Sequence, residues 1–218
     1  MNFQKLVNET EDVWQPVINH PFVIEIYQGI LIGKRFKFYL LQDYYYLSQS
    51  LKNISLLASR AENLEARREM INILHMEATG EFDAYEKLLQ SLGISLKEAE
   101  RAKLTRANIS YTNYLLSVSS LNSFAEGLTA LLPCYWSYQK ISEVHQEKLA
   151  DNHNKYYKAW AGFYSTDEYR SLVDKMRSLF NQVCNTVEIG KLKDAFCTSL
   201  KFEYEFWKEV YQMKTWEI

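Results

Sequence analysis

The sequence predicts an all-α protein forming one domain over residues 1–218. Three observations carry that expectation. Only seven glycines and three prolines punctuate the 218 residues. Apolar residues recur at three- and four-residue spacing through long uninterrupted segments, and no segment alternates long enough to make a strand. The length suffices to bury one core, and no linker-like composition divides it.

Residues 3 to 18 read as the first helix, with Phe3, Leu6, Val7, Val13, Trp14 and Val17 on the apolar spacing. His20-Pro21 closes it, because the residue before proline is pushed out of the helical region. A short helix follows from Pro21 to Tyr27 and ends near Gly29. Residues 34 to 59 form a third, which sets Asp43 and Tyr46 on one face. The fourth spans 62 to 91 and stops at Gly93, and Ser95-Leu-Lys-Glu98 is a capping box that starts another. Residues 108 to 121 come next, and the Asn122-Ser123 cap opens a helix from 124 to 149. After a turn at Asp151–Asn154, Trp160 and Tyr164 sit on a short helix. Ser165-Thr-Asp-Glu168 caps a longer helix to Val187, Gly190 ends that one, and Lys191 to Gln212 form the last.

Of the three prolines, Pro133 is read as the only one inside a helical pattern. It removes a backbone donor and crowds the carbonyl of Thr129, at roughly 3 kcal/mol relative to alanine. A kink there would turn Cys134 toward a cavity, with Tyr138 on the same face.

Composition narrows the function. A net charge of −2 with scattered Lys and Arg gives no electrostatic basis for nucleic-acid binding. The odd count of three cysteines, without metal-ligand spacing, favours a reducing compartment, and neither a signal peptide nor an eighteen-residue apolar run is present. A cytoplasmic protein without membrane contact is expected. Metal and cofactor are expected to be absent: His20, His75, His145 and His153 have Val17, Asn72, Ser142 and Ala150 three residues earlier, so no Glu-x-x-His pair exists. His20 reads as a helix-end residue, His153 as a turn residue, and His145 as lying on a solvated face beside Glu143 and Glu147.

Three groups offer chemistry. Cys134 is the one cysteine in unusual surroundings, whereas Cys184 and Cys197 read as small core residues. Glu203, in Phe-Glu-Tyr-Glu-Phe-Trp, is pressed among aromatics where desolvation would raise its proton affinity toward neutrality; Glu205 points about 160° away, toward solvent. Asp43 lies among tyrosines, either as part of a structural network or as an acceptor for a flat amino-bearing heterocycle.

His20-Pro-Phe-Val23, Phe38-Tyr-Leu-Leu-Gln-Asp-Tyr-Tyr-Tyr46, Tyr111-Thr-Asn-Tyr114, Pro133-Cys-Tyr-Trp-Ser-Tyr138, Trp160-Ala-Gly-Phe-Tyr-Ser165 and Glu203-Tyr-Glu-Phe-Trp207 occur in one order along nearly the whole chain. In this the sequence resembles the thiaminase II (TenA-like) family. The resemblance implies a haem-oxygenase-like helical fold without haem, a homotetramer, and hydrolysis of 4-amino-2-methylpyrimidines, aminomethylpyrimidine or thiamin, in thiamin salvage. It implies Cys134 as nucleophile and Glu203 as acid/base. Asp43 would grip the pyrimidine's amino group and ring nitrogen, among the pocket aromatics Tyr46, Tyr111, Tyr138, Tyr164 and Phe206. One departure is that the family often carries Glu then His four residues on, where this chain has Glu81 and Tyr85. Two alternatives stay open: a pyrimidine-binding or regulatory protein without catalysis, and a cofactor-synthesis oxidase of the same fold, resembling pyrroloquinoline quinone synthase.

Overall fold

In the computed structural model, which describes residues 1–216, the expected first helix is two: α1 (Phe3–Asn8) and α2 (Glu11–Ile18). Residues 217 and 218, which close the expected domain of 1–218, lie outside the described residues. Thr10 causes the break. Its hydroxyl donates back to the carbonyls of Leu6 (2.9 Å) and Val7 (3.3 Å), while Trp14 Nε1 donates to Val7 O at 3.0 Å. These side chains satisfy carbonyls that a continued helix would have used. A second correction concerns proline, because Pro16 also lies inside a helix, α2. The bond it cannot make would go to Asp12, which is exposed, so water can meet that carbonyl.

Next is α3 (Pro21–Gln28), capped by His20, whose Nδ1 accepts from Phe22 N at 3.2 Å. It ends at Gly29, whose φ of 78° suits glycine alone. Asn152 closes this end, its Nδ2 donating to Ile26 O (2.8 Å) and Tyr27 O (3.2 Å). Helix α4 (Gly33–Arg60) is continuous. The expected fourth helix is instead α5 (Leu64–Met76), a π-helical turn (Glu77–Glu81) and α6 (Phe82–Ser91). In α7 (Leu96–Glu100), Ser95 caps Glu98 N at 3.1 Å, while the Glu98 carboxylate pairs with Lys37 at 2.8 Å.

Helix α8 (Arg106–Leu121) leads to α9 (Phe124–His145), which opens with a complete capping box between Ser123 and Glu126 and closes on a 3₁₀ turn (Gln146–Leu149). Helix α10 (Lys155–Phe163) and α11 (Asp167–Val183) follow; the cap of α11 is Thr166, one residue past the expected Ser165. Contrary to expectation, α11 stops at Val183 and Gly190 lies inside α12 (Ile189–Gln212). Among the described residues there is no strand.

Helix α9 is buried on every side, as its apolar composition demands, and packs against α2, α4, α8, α11 and α12. Its close approach to α8 needs Gly127, where a Cβ would stand 2.6 Å from Leu57 Cδ2 and 3.1 Å from Ser119 Cα. Pro133 is carried within this one helix, and Ser199 of α12 donates to the neighbouring Ala130 O at 2.6 Å. At its end, His145 corrects the sequence reading. It is buried, not solvated, with Nε2 at 2.8 Å from Ile18 O, so its ring joins the end of α9 to the end of α2. Among the described residues, no helix is long and apolar enough to cross a membrane.

Candidate active site

Five segments converge on one cavity of about 290 Å³. From α4 come Asp43, Tyr46 and Leu47, from the π turn Glu77 and Glu81, and from α9 Cys134, Tyr135 and Tyr138; Tyr164 and Tyr169 close it. Asp43, Tyr46 and Leu47 share a face because they are three or four residues apart, and so do Cys134 and Tyr138. The sequence-derived candidates Asp43, Tyr46, Cys134, Tyr138 and Tyr164 therefore meet around one space.

Glu203, Tyr111 and Phe206 stand behind that lining rather than in it. Tyr111 packs on Tyr46 with ring centroids 5.4 Å apart and stacks on Phe202 at 5.5 Å, and Phe206 lies 6.3 Å from Tyr46. Glu203 is buried, its field reaches the Cys134 thiol, and burial raises its pKa to about 8 despite the nearby Tyr111 hydroxyl. Glu205 sits half-exposed on the opposite side, paired with Lys208 at 3.0 Å.

Asp43 is held in orientation by a relay. Trp160 Nε1 donates to Tyr39 Oη at 3.1 Å, and Tyr39 Oη donates to Asp43 Oδ2 at 2.8 Å. Burial raises the Asp43 pKa to about 7, with Tyr39 working against the rise and Glu77 adding to it. One carboxylate oxygen is thus occupied by the protein, and the other remains for a ligand.

Cys134 has surroundings opposite to those expected of a preformed thiolate. Burial first, then the charge of Glu203, hold its thiol well above the ordinary range, with Glu77 and Glu81 adding to the effect and only the Tyr46 hydroxyl opposing it. At rest Sγ donates to Leu131 O at 3.0 Å. A thiol so placed gains reactivity when positive charge enters the cavity or when its proton is taken as the S–C bond forms. Among the described residues, Tyr46 Oη, Tyr111 Oη and Glu77 Oε2 are buried without a hydrogen-bond partner, and no ion pair involves Asp43, Glu77, Glu81 or Glu203. Nor do His, Cys, Asp and Glu side chains gather there as a metal-binding group. The cavity is acidic, aromatic and without a basic residue, which fits a flat ligand that brings positive charge and N–H donors.

Sequence reasoning missed Tyr39, Tyr135, Tyr169 and the carboxyl of Glu77. Gly80 inside an otherwise helical run was the one local sign of the π turn that turns Glu77 inward, since mid-helix glycines and π turns often mark sites. Tyr85, at the position of the departure noted above, hydrogen-bonds Leu40 O.

Residues 7–213 match the TENA/THI-4/PQQC family. An aminopyrimidine aminohydrolase of Helicobacter pylori is 32% identical over 212 residues, covering 96% of this chain and 98% of that protein. A solved TenA homologue from P. horikoshii OT3 superposes with a TM-score of 0.91 at 36% identity, over 97% of this chain and 98% of that one. A Shewanella denitrificans domain of haem-oxygenase-like fold superposes with a TM-score of 0.76 at 16% identity, covering 98% and 93% of the two chains, which supports the expected fold class.

Proposed function

The chain belongs to the TENA/THI-4/PQQC family, and from that premise we propose that it is an aminopyrimidine aminohydrolase of thiamin salvage. It cleaves the C–N bond at the exocyclic methylene of 4-amino-2-methylpyrimidines to release hydroxymethylpyrimidine. The observation that carries this reading is the meeting of Cys134, Asp43 and the tyrosines in one acidic cavity with Glu203 directly behind it.

Each group has a part that its environment supports. Asp43, oriented by Tyr39, accepts from the amino group of the pyrimidine and faces a ring nitrogen, while Tyr46, Tyr138 and Tyr164 border the ring and Tyr111 and Phe206 back that wall. Glu203, with a pKa near 8, is protonated at neutral pH and gives that proton to a ring nitrogen as the sulfur of Cys134 adds to the ring. The thiol proton then replaces the one Glu203 gave up. Electrons returning from the adduct expel the substituent on the methylene, water adds there and releases a proton, and the sulfur leaves and takes back the proton on the ring nitrogen, which restores the aromatic ring and the thiol.

Incubating the protein separately with aminomethylpyrimidine and with thiamin, and following hydroxymethylpyrimidine, tests this function. Release from either supports the hydrolase. Tight binding without product would assign the chain to the non-catalytic alternative, and oxygen uptake with a quinone precursor to the oxidase.

A further inference from the structure

Two carboxyls of the cavity have no part in that reaction. Glu77 and Glu81 begin and end the π-helical turn and both line the space beside Cys134. Glu77 is only 1% exposed, yet its Oε2 has no hydrogen-bond partner among the described residues. A carboxyl oxygen buried this deeply without a partner costs stability unless something else uses it. Burial raises the proton affinity of both groups; the charge of Glu77 adds to the rise at Glu81, while Tyr135, Glu81 and Ser50 oppose it at Glu77, and an arriving cation would offset the cost of ionising them. Glu81 is also shared with a second cavity of about 370 Å³, walled by Tyr85, Leu88, Trp160 and Phe163, which adjoins the first through Glu81 and Tyr164.

We propose that Glu77 and Glu81 form the leaving-group subsite and restrict the substrate's exocyclic substituent to a cation, either an alkylammonium or an N-alkylated azolium ring. The inference rests on the aminopyrimidine reading and deepens it. Asp43 holds the pyrimidine, and the pair on the π turn, which lines the same cavity beside Cys134, holds the charged substituent. The second cavity gives an aromatic-walled space for a substituent larger than an amine. When the C–N bond breaks, its electron pair goes to nitrogen and the cation departs as neutral ammonia or a neutral azole, while the adduct with Cys134 supplies the electrons. The carboxyls therefore recognise charge in the bound substrate that is gone in the product, which favours release.

Because this charge is lost during bond breaking, removing a carboxyl weakens binding and does not lower kcat. Glu77→Gln and Glu81→Gln, each combined with Cys134→Ala to stop turnover, are titrated calorimetrically with aminomethylpyrimidine and with the uncharged hydroxymethylpyrimidine. The expected result is a loss of about tenfold or more in affinity for the amine and under about threefold for the alcohol. With Cys134 present, the same variants should raise KM for the amine without lowering kcat. Equal losses for the two ligands, or none, would overturn the subsite while the aminopyrimidine reading stands. Failure of Cys134→Ala alone to bind the alcohol would remove that reading and the subsite with it. Glu81, being half-buried, carries the test if Glu77→Gln does not fold.

Discussion

Glu203→Gln should make the protein less sensitive to alkali, because the wild-type glutamate is buried without a cation. Folding raises its pKa from 4.5 to about 8, so the folded state keeps a proton that the unfolded chain releases above about pH 4.5. Stability from this group is complete below the unfolded value, declines as pH rises, and levels off above the folded one. Each tenfold change in proton affinity is about 1.4 kcal/mol, so the loss between about pH 5 and pH 8 comes to about 3 kcal/mol from Glu203 alone. Glutamine has the same shape and does not titrate. Asp43, raised to about 7, adds a decline of the same sign in both proteins and largely cancels in their difference. Urea unfolding of wild type and variant at about pH 5 and pH 8 measures the effect. The variant should gain on the wild type by about 3 kcal/mol across that interval. Parallel stability curves would mean that Glu203 ionises freely in the folded protein, and its part as a proton donor would fall with them.

Asp43→Asn keeps the hydrogen bond geometry with Tyr39 open but loses a charged acceptor, so pyrimidine affinity should drop by about 10²-fold, read as Kd for hydroxymethylpyrimidine. Gly127→Ala drives a methyl into Leu57 and the Ser119 backbone and should cost about 1–3 kcal/mol in chemical unfolding, with no change in the pH dependence of activity. Gly29→Ala meets both an unfavourable φ and Asn152 Oδ1 at 2.6 Å, and should lower the melting temperature by several degrees, about what a loss of 1–2 kcal/mol gives.

Much of the fold was legible because helical punctuation is local. Gly29, Ser95 and Ser123 do what their residue types predict at helix ends. The breaks at Thr10 and within 77–81 were not legible, since one depends on a side chain folding back and the other on a single extra residue in a turn. The site divides the same way. Asp43 with Tyr46, and Cys134 with Tyr138, share a face through helical spacing alone. Tyr169 and Glu77 come to the cavity through long-range packing that no local spacing records. His145 was misread for the same reason: Glu143 and Glu147 suggest solvent, but the carbonyl of Ile18, far away in sequence, decides its burial. The thiol of Cys134 reverses the usual argument for reactive cysteines, because its neighbours are acids, and the positive charge has to come with the substrate.

The central claim is that Cys134 forms the bond to the pyrimidine. Turnover of aminomethylpyrimidine by Cys134→Ala, measured beside its affinity for hydroxymethylpyrimidine, tests it most directly. Loss of product release by at least about 10³-fold with binding retained is the predicted result. A fully active Cys134→Ala would contradict the account and leave Cys134 a small residue beside Pro133.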